Sequence, residues 1–205
     1  MIGLPGQTED SFRASLVRIL SHRPEHISIY CLESADGDAS PLAMAADDEE
    51  LAARYLLAHE RLARAGYEAY EVSNWCLPGA ECRHNLSIWR GASYIGLGPA
   101  AHSFLADRRW SWPADLAAWA EPLLAGRPAE RLEDERGPRA LALERLLLGL
   151  RTREGLPLDD PLLRERRPLL DEFAARGWGR EEAGRWRLAP AGWLRLDGIL
   201  GRLTS

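Results

Sequence analysis

With 205 residues, 46% of them hydrophobic and 28% charged, the chain has the make-up of one folded domain with a small appendage, which excludes a disordered tail and a fibrous protein. No apolar run approaches the ~20 residues of a membrane span, and residues 1–6 lack the basic flank and apolar core of a secretory signal. The three cysteines, Cys31, Cys76 and Cys82, are odd in number and sparse, which argues against a disulfide framework and points to a reducing, cytoplasmic setting.

Turn chemistry opens the chain at Gly3-Leu4-Pro5-Gly6, and Thr8 is placed to cap a helix with Glu9 and Asp10 in its first turn. Phe12, Leu16, Ile19 and Leu20 recur at helical spacing up to about His22. Pro24 ends that pattern, and His26-Ile27-Ser28-Ile29-Tyr30-Cys31 reads as a strand. A polar loop from Glu33 to Pro41 leads to a second helix that starts at Asp47 and Asp48, carries Leu51, Tyr55, Leu56 and Leu62 inward, and stops at Gly66. Residues 67–72 read as another strand. This alternation predicts an α/β fold whose strands are linked by helices.

Residues 73–93 show no periodicity, and a loop of that length in a compact domain is usually functional. The glycine-rich apolar run from Tyr94 to Phe104 holds His102 among small residues, which implies close packing. Trp110, Trp112 and Trp119 predict an aromatic turn and helix. Residues 126–138 read as a charged linker, with a domain boundary near Gly137. Beyond it the pattern predicts a helix over 139–151, a second over 160–176, a hairpin over 178–188 and a last helix from Ala191. Helix, helix, hairpin, helix resembles a winged-helix module. All 26 basic residues are arginine, and the net charge of −5 divides into −8 before Gly137 and +3 after it. That excess is small for a nucleic-acid-binding domain.

Three places carry candidate chemistry. The turn Gly3-Leu4-Pro5-Gly6-Gln7-Thr8 presents backbone N–H groups at a helix start, which suits an anion, but has no phosphate-loop lysine, and a plain βα turn is the favoured reading. Cys76, Cys82 and His84 offer two thiols and an imidazole, yet the five-residue gap between the cysteines exceeds the two to four usual for zinc, and no second ligand pair follows. His84 and Asn85 lie among aromatic residues, where an imidazole can serve as axial ligand to heme iron and apolar walls suit a flat macrocycle; the alternative is a loop histidine bonded to backbone. His102 on its apolar stretch reads as a core histidine, and the tryptophans as core rather than cofactor box. No Ser/His/Asp or nucleophilic cysteine arrangement is legible, and no metal site is expected.

In order along the chain, Gly3-Leu4-Pro5-Gly6-Gln7-Thr8, His26-Ile27-Ser28-Ile29-Tyr30, Tyr70-Glu71-Val72-Ser73-Asn74-Trp75, Arg83-His84-Asn85 and Gly96-Leu97-Gly98-Pro99-Ala100-Ala101-His102-Ser103 resemble the radical-SAM proteins related to oxygen-independent coproporphyrinogen III oxidase. The Glu-Val-Ser-Asn-Trp segment and the His-Asn pair resemble its heme-chaperone branch rather than the true oxidase. That branch carries His-Asn, two residues, then Tyr-Trp; here the run is His84-Asn85-Leu86-Ser87-Ile88-Trp89. The resemblance implies heme binding through His84, Asn85 and Trp89, with Ile88 in place of the tyrosine and its hydroxyl.

The resemblance also implies a fold and a division of labour. Residues 1–136 would be the last βα units of a partial radical-SAM (β/α) barrel with the heme-associated loop, and residues 137–205 a small winged-helix-like C-terminal domain. Family members hold a [4Fe-4S] cluster through a three-cysteine CxxxCxxC motif and bind S-adenosylmethionine through a glycine-rich loop. Neither is present here, and Met1 falls inside the strand that should precede Gly3, so the radical chemistry is expected upstream and this chain is not expected to catalyse it alone. The implied role is carrying heme to an acceptor protein. The rival readings are a coproporphyrinogen oxidase-like enzyme and a winged-helix nucleic-acid-binding module. A barrel cut in this way would leave a strand edge on which copies could associate.

Overall fold

The computed structural model describes residues 1–32, 47–134 and 137–205. The polar loop expected from Glu33 to Pro41 lies outside them. Packing gathers the described residues into two compact units: Met1–Cys82 with Gly149–Ser205, and Arg83–Leu148.

The first unit opens on α1 (Glu9–Ser21), where the Thr8 side chain accepts from the Ser11 N–H and the Ser11 hydroxyl accepts from the Thr8 N–H. This reciprocal cap satisfies two backbone donors that a helix start otherwise leaves open. Phe12 and Leu16 face inward, one turn apart. After β1 (His26–Ser28) comes α2 (Asp48–Arg64), capped by the Asp47 carboxylate on the Glu50 N–H and burying Tyr55, Ala58 and Leu62. Gly66 turns the chain with φ +89° into β2 (Glu68–Glu71), and β3 (Asn74–Cys76) follows at once. These elements enclose a core of Ile2, Phe12, Leu16, Ile27, Ile29, Tyr55, Leu62, Tyr67 and Trp75.

The strand order does not follow the order of the chain. β3 lies between β1 and β2 and runs antiparallel to both; among the described residues, parallel pairing is seen at the bridge Ile2–Cys31. β3 sits in the stretch expected to have no regular structure. It is a strand because all three of its residues are buried, Trp75 and Cys76 completely, and a buried backbone needs its hydrogen bonds made within the protein.

The second unit begins with α3 (Arg83–Trp89) and continues through β4 (His102–Leu105), β5 (Arg108–Ser111), α4 (Leu116–Leu124) and β6 (Leu132–Asp134). The strands form an antiparallel sheet ordered β4-β5-β6. Ala106 and Asp107 both have positive φ, the geometry of a two-residue hairpin turn. Trp110 is buried, with the Arg131 guanidinium 4.8 Å above its ring. The stretch expected as a linker thus contributes a paired strand, β6.

The helix α5 (Pro138–Leu150) starts in the second unit and ends in the first. Beyond it run β7 (Leu156–Pro157), α6 (Pro161–Glu165), α7 (Arg167–Ala175), β8 (Gly179–Glu182), β9 (Arg185–Leu188), α8 (Pro190–Trp193) and α9 (Leu196–Thr204). A small antiparallel sheet ordered β7-β9-β8 packs with Leu163, Leu170, Phe173, Ile199 and Leu203, all fully or almost fully buried. The helix expected over 160–176 is two helices. Arg166, at φ −107° and ψ 19°, marks the break, and Pro168 just beyond it cannot donate the hydrogen bond that would carry α6 onward. The Val72 N–H donates to the Arg151 carbonyl and the Arg153 N–H to the Tyr70 carbonyl, so this C-terminal stretch is hydrogen-bonded to the chain at β2.

Candidate functional site

Helix α3 carries all three residues marked as heme-binding candidates, in a place expected to be a loop. Its end is well defined. The Gly91 N–H donates to the Ile88 carbonyl, the Ala92 N–H to the Ser87 carbonyl, and Gly91 has φ +77°. This is the paired closure that a glycine just past a helix provides. Within the helix, His84 is exposed while Asn85, Ile88 and Trp89 are half-buried. At 100° per residue, Asn85 and Trp89 share a face four residues apart, and His84 lies with Ser87 and Ile88 on another. The structure therefore brings the three onto one short helix but not onto one face. The Ser87 hydroxyl donates to the His84 carbonyl at 2.7 Å, and the imidazole itself is left to solvent.

The other candidates resolve into structural roles. In the turn before α1, Gly3 and Gly6 have φ +84° and +70°, and Gln7 staples it: its Oε1 accepts from the Gly3 N–H at 2.9 Å and its Nε2 donates to the Met1 carbonyl at 3.0 Å. A cavity of about 430 Å³ lies beside it, lined by Gly6, Gln7, Thr8, Glu9, Glu50, Ala53 and Arg54. Arg54 donates to Glu50 at 3.0 Å, so the cation is already paired, and the Glu9 and Glu50 carboxylates repel an anion. This favours the plain-turn reading.

Cys76 is fully buried in β3, and burial, with the Glu81 charge second, pushes its thiol pKa up; such a thiol stays protonated and is a poor metal ligand. Cys31 and Cys82 are half-buried. Among the described residues no three His, Cys, Asp or Glu side chains are grouped to hold a metal, and the cysteines present do not fit a cysteine-ligated cluster.

His102 departs from its reading as a core histidine. It is exposed, because the two-residue alternation of β4 sends its neighbour Ser103 inward instead, where the Ser103 hydroxyl accepts from the Gly96 N–H at 3.0 Å. A Cβ on Gly96 would lie 2.2 Å from the His102 carbonyl oxygen, so the close packing foreseen for this glycine-rich run is with its own returning strand. Trp112 closes the same corner by donating to the Gly96 carbonyl at 2.9 Å.

One buried charge escaped the sequence reading. Glu71 is completely buried, and one of its oxygens accepts from Arg151 Nε at 3.1 Å and Nη2 at 2.8 Å. The other accepts from the Ser73 N–H at 2.9 Å and from the Asn74 amide. Asn74 in turn accepts from the Ser28 hydroxyl at 2.5 Å. The Glu-Val-Ser-Asn segment is thereby a hub joining β1, β2 and the C-terminal stretch.

Comparison with known proteins adds the following. Residues 138–195 match the HemN C-terminal domain family. The chain is 40% identical over 164 residues to the heme chaperone HemW of Mycobacterium tuberculosis, covering 76% of this chain and 42% of that protein. It is 35% identical to the heme chaperone HemW of Synechocystis, over 75% and 39% of the two chains. A mitochondrial radical S-adenosyl methionine domain-containing protein 1 from Danio rerio is 36% identical over half of this chain. The chain thus spans less than half the length of these relatives. Among solved structures, the radical SAM enzyme coproporphyrinogen III oxidase (HemN) from Escherichia coli superposes with a TM-score of 0.73 at 16% identity, covering all of this chain and 53% of that one. The α/β fold is therefore of that enzyme's type.

Proposed function

Because this chain is similar to the HemW-type heme chaperones along less than half of their length, and to the radical SAM enzyme coproporphyrinogen III oxidase along about half of its length, we propose that it serves in binding heme and passing it to an acceptor protein. The observation that carries the reading is His84: an imidazole at the start of α3, open to solvent, in a His-Asn pair that resembles that of the heme-chaperone branch. An exposed ligand suits a carrier. A buried axial histidine holds its porphyrin against exchange, whereas a ligand at the surface lets an incoming partner's side chain replace it.

His84 would supply the bond to iron, Trp89 and Ile88 apolar contact along the helix, and Asn85 a polar side chain beside Trp89. The iron–sulfur cluster and S-adenosylmethionine of the wider family would be held by residues other than those present here, and the acceptor would be met in the cytoplasm. The test is a titration of the 205-residue chain with hemin, followed at the Soret band, beside His84→Ala. Wild type should give a saturable histidine-type spectrum that the variant loses. Equal titrations of the two proteins would remove His84 from the role.

A further inference from the structure

Heme carries its iron at the centre of the ring and its two carboxylates on one edge, so a site built on it needs a cation displaced from the iron ligand. Arg83 is the first residue of α3, directly before His84, and both are exposed. Three other arginines of the same unit are occupied: Arg108 pairs with Glu133, Arg109 with Glu144, and Arg131 lies over the Trp110 ring. Arg83 makes no ion pair or hydrogen bond among the described residues, and the acid nearest to it in sequence, Glu81, is held by Arg153. Consecutive helical residues point 100° apart, which separates the guanidinium from the imidazole sideways, as an edge group is separated from a central metal. Ile88, one turn on from His84, has no polar atom in its side chain with which to take up a carboxylate.

We propose that Arg83 is a specificity-determining residue of the site, and that it pairs with a propionate so that the chain selects tetrapyrroles bearing free carboxylates. The inference rests on the heme reading and deepens it. A guanidinium suits a carboxylate because its fork of N–H donors can engage both oxygens. At an exposed position the pair is screened by salt, so the effect is modest and depends on ionic strength.

The experiment compares hemin with its dimethyl ester, in which the propionates are uncharged, on the whole chain as wild type, Arg83→Gln, Arg83→Lys and His84→Ala, each checked for folding by circular dichroism. Wild type should bind hemin about two- to fivefold more tightly than the ester at low salt, from the usual worth of an exposed pair. The preference should shrink as salt rises, vanish in Arg83→Gln and partly return in Arg83→Lys. An Arg83→Gln variant that keeps the wild-type ratio, or a wild type that binds neither compound, overturns the proposal. His84→Ala separates the two readings, since it should change the Soret position and leave the acid-to-ester ratio intact. If its spectrum is unchanged while Arg83→Gln still loses the ratio, the iron-ligand reading falls and the Arg83 assignment stands.

Discussion

The contact between Glu71 and Arg151 offers a measurement of how the C-terminal stretch is fastened. The Glu71 carboxylate is fully enclosed and accepts from four donors, while the Arg151 side chain keeps 22% of its surface in water. The two halves of the pair should therefore respond differently to removal. Arg151→Met strips the cation from a buried carboxylate and leaves it with the Ser73 and Asn74 donors, a change that costs about 3–5 kcal/mol when a buried pair is broken on one side. Glu71→Gln keeps an amide oxygen for those donors and leaves an arginine that can turn toward solvent, so its cost should be about 1.5–3 kcal/mol, the range for a lost charged hydrogen bond. For a chain of this length 1 kcal/mol corresponds to roughly 2–4 °C, so Arg151→Met should melt at least 6 °C lower than wild type. Urea denaturation followed by far-ultraviolet circular dichroism gives the free energies. The double variant Glu71→Gln/Arg151→Met should be no less stable than Arg151→Met, because the uncompensated charge is gone. If Glu71→Gln proves the more damaging single change, the account of a stranded buried carboxylate is wrong.

Three further outcomes are expected. The Trp75 indole donates to His59 Nδ1 at 3.3 Å and burial lowers the His59 pKa, so the folded state takes up a proton less readily than the unfolded chain, whose histidine titrates near 6.5. Stability is intact above pH 6.5 and falls as the pH drops below it; His59→Gln should flatten that slope in urea titrations at pH 7.5 and 5.5, and an unchanged slope would exclude His59 as its source. Gly155 has φ +63° and an added Cβ would lie 2.0 Å from the Trp186 carbonyl oxygen, so Gly155→Ala should cost well over the ~1 kcal/mol expected of a positive-φ site alone. Gly177→Ala, with φ +71° and open space, should stay near that value, and equal losses at the two sites would contradict the packing at β9. With a thiol reagent under native conditions, Cys31 and Cys82 should react before the enclosed Cys76, whose labelling should wait for unfolding; simultaneous reaction of all three would contradict the burial of β3.

The elements legible in the sequence were those whose signals are local. Thr8 and Asp47 are side chains that hydrogen-bond to the backbone three residues on, and Gly66 relieves a conformation that other residues resist, so the bounds of α1 and α2 follow from short-range chemistry. The hairpin of β8 and β9 is similar, since Ala183-Gly184 supplies two positive-φ positions between short extended runs. β3 was hidden because three residues show no period, and its two partners lie tens of residues upstream or across a tight turn. The antiparallel order of that sheet was equally out of reach, since the alternation of helix and strand fixes neither the direction nor the neighbour of an inserted strand. The break at Arg166 had a visible cause in Pro168, which a period of apolar residues running through it obscured.

The candidate site shows the same division more sharply. His84, Asn85 and Trp89 can be picked from the sequence only as a spacing, and a spacing has no geometry until the backbone conformation is known. Had residues 84–89 been extended, His84 and Trp89 would point to opposite sides and Asn85 would share the side of Trp89; on the helix actually formed, Asn85 again shares the face of Trp89, but His84 is joined by Ile88 one turn away. The signal that could have found this helix is Trp89-Arg90-Gly91, where a glycine follows an apolar residue at the distance a helix end requires. Once α3 is in place, the identity of residue 88 acquires a consequence that spacing could not give it. An isoleucine beside the exposed imidazole offers contact area without a hydrogen bond, so on the proposed heme reading a charged edge of the ligand would have to meet a cation outside the His84–Ile88 face, and Arg83 is the one adjacent in the chain.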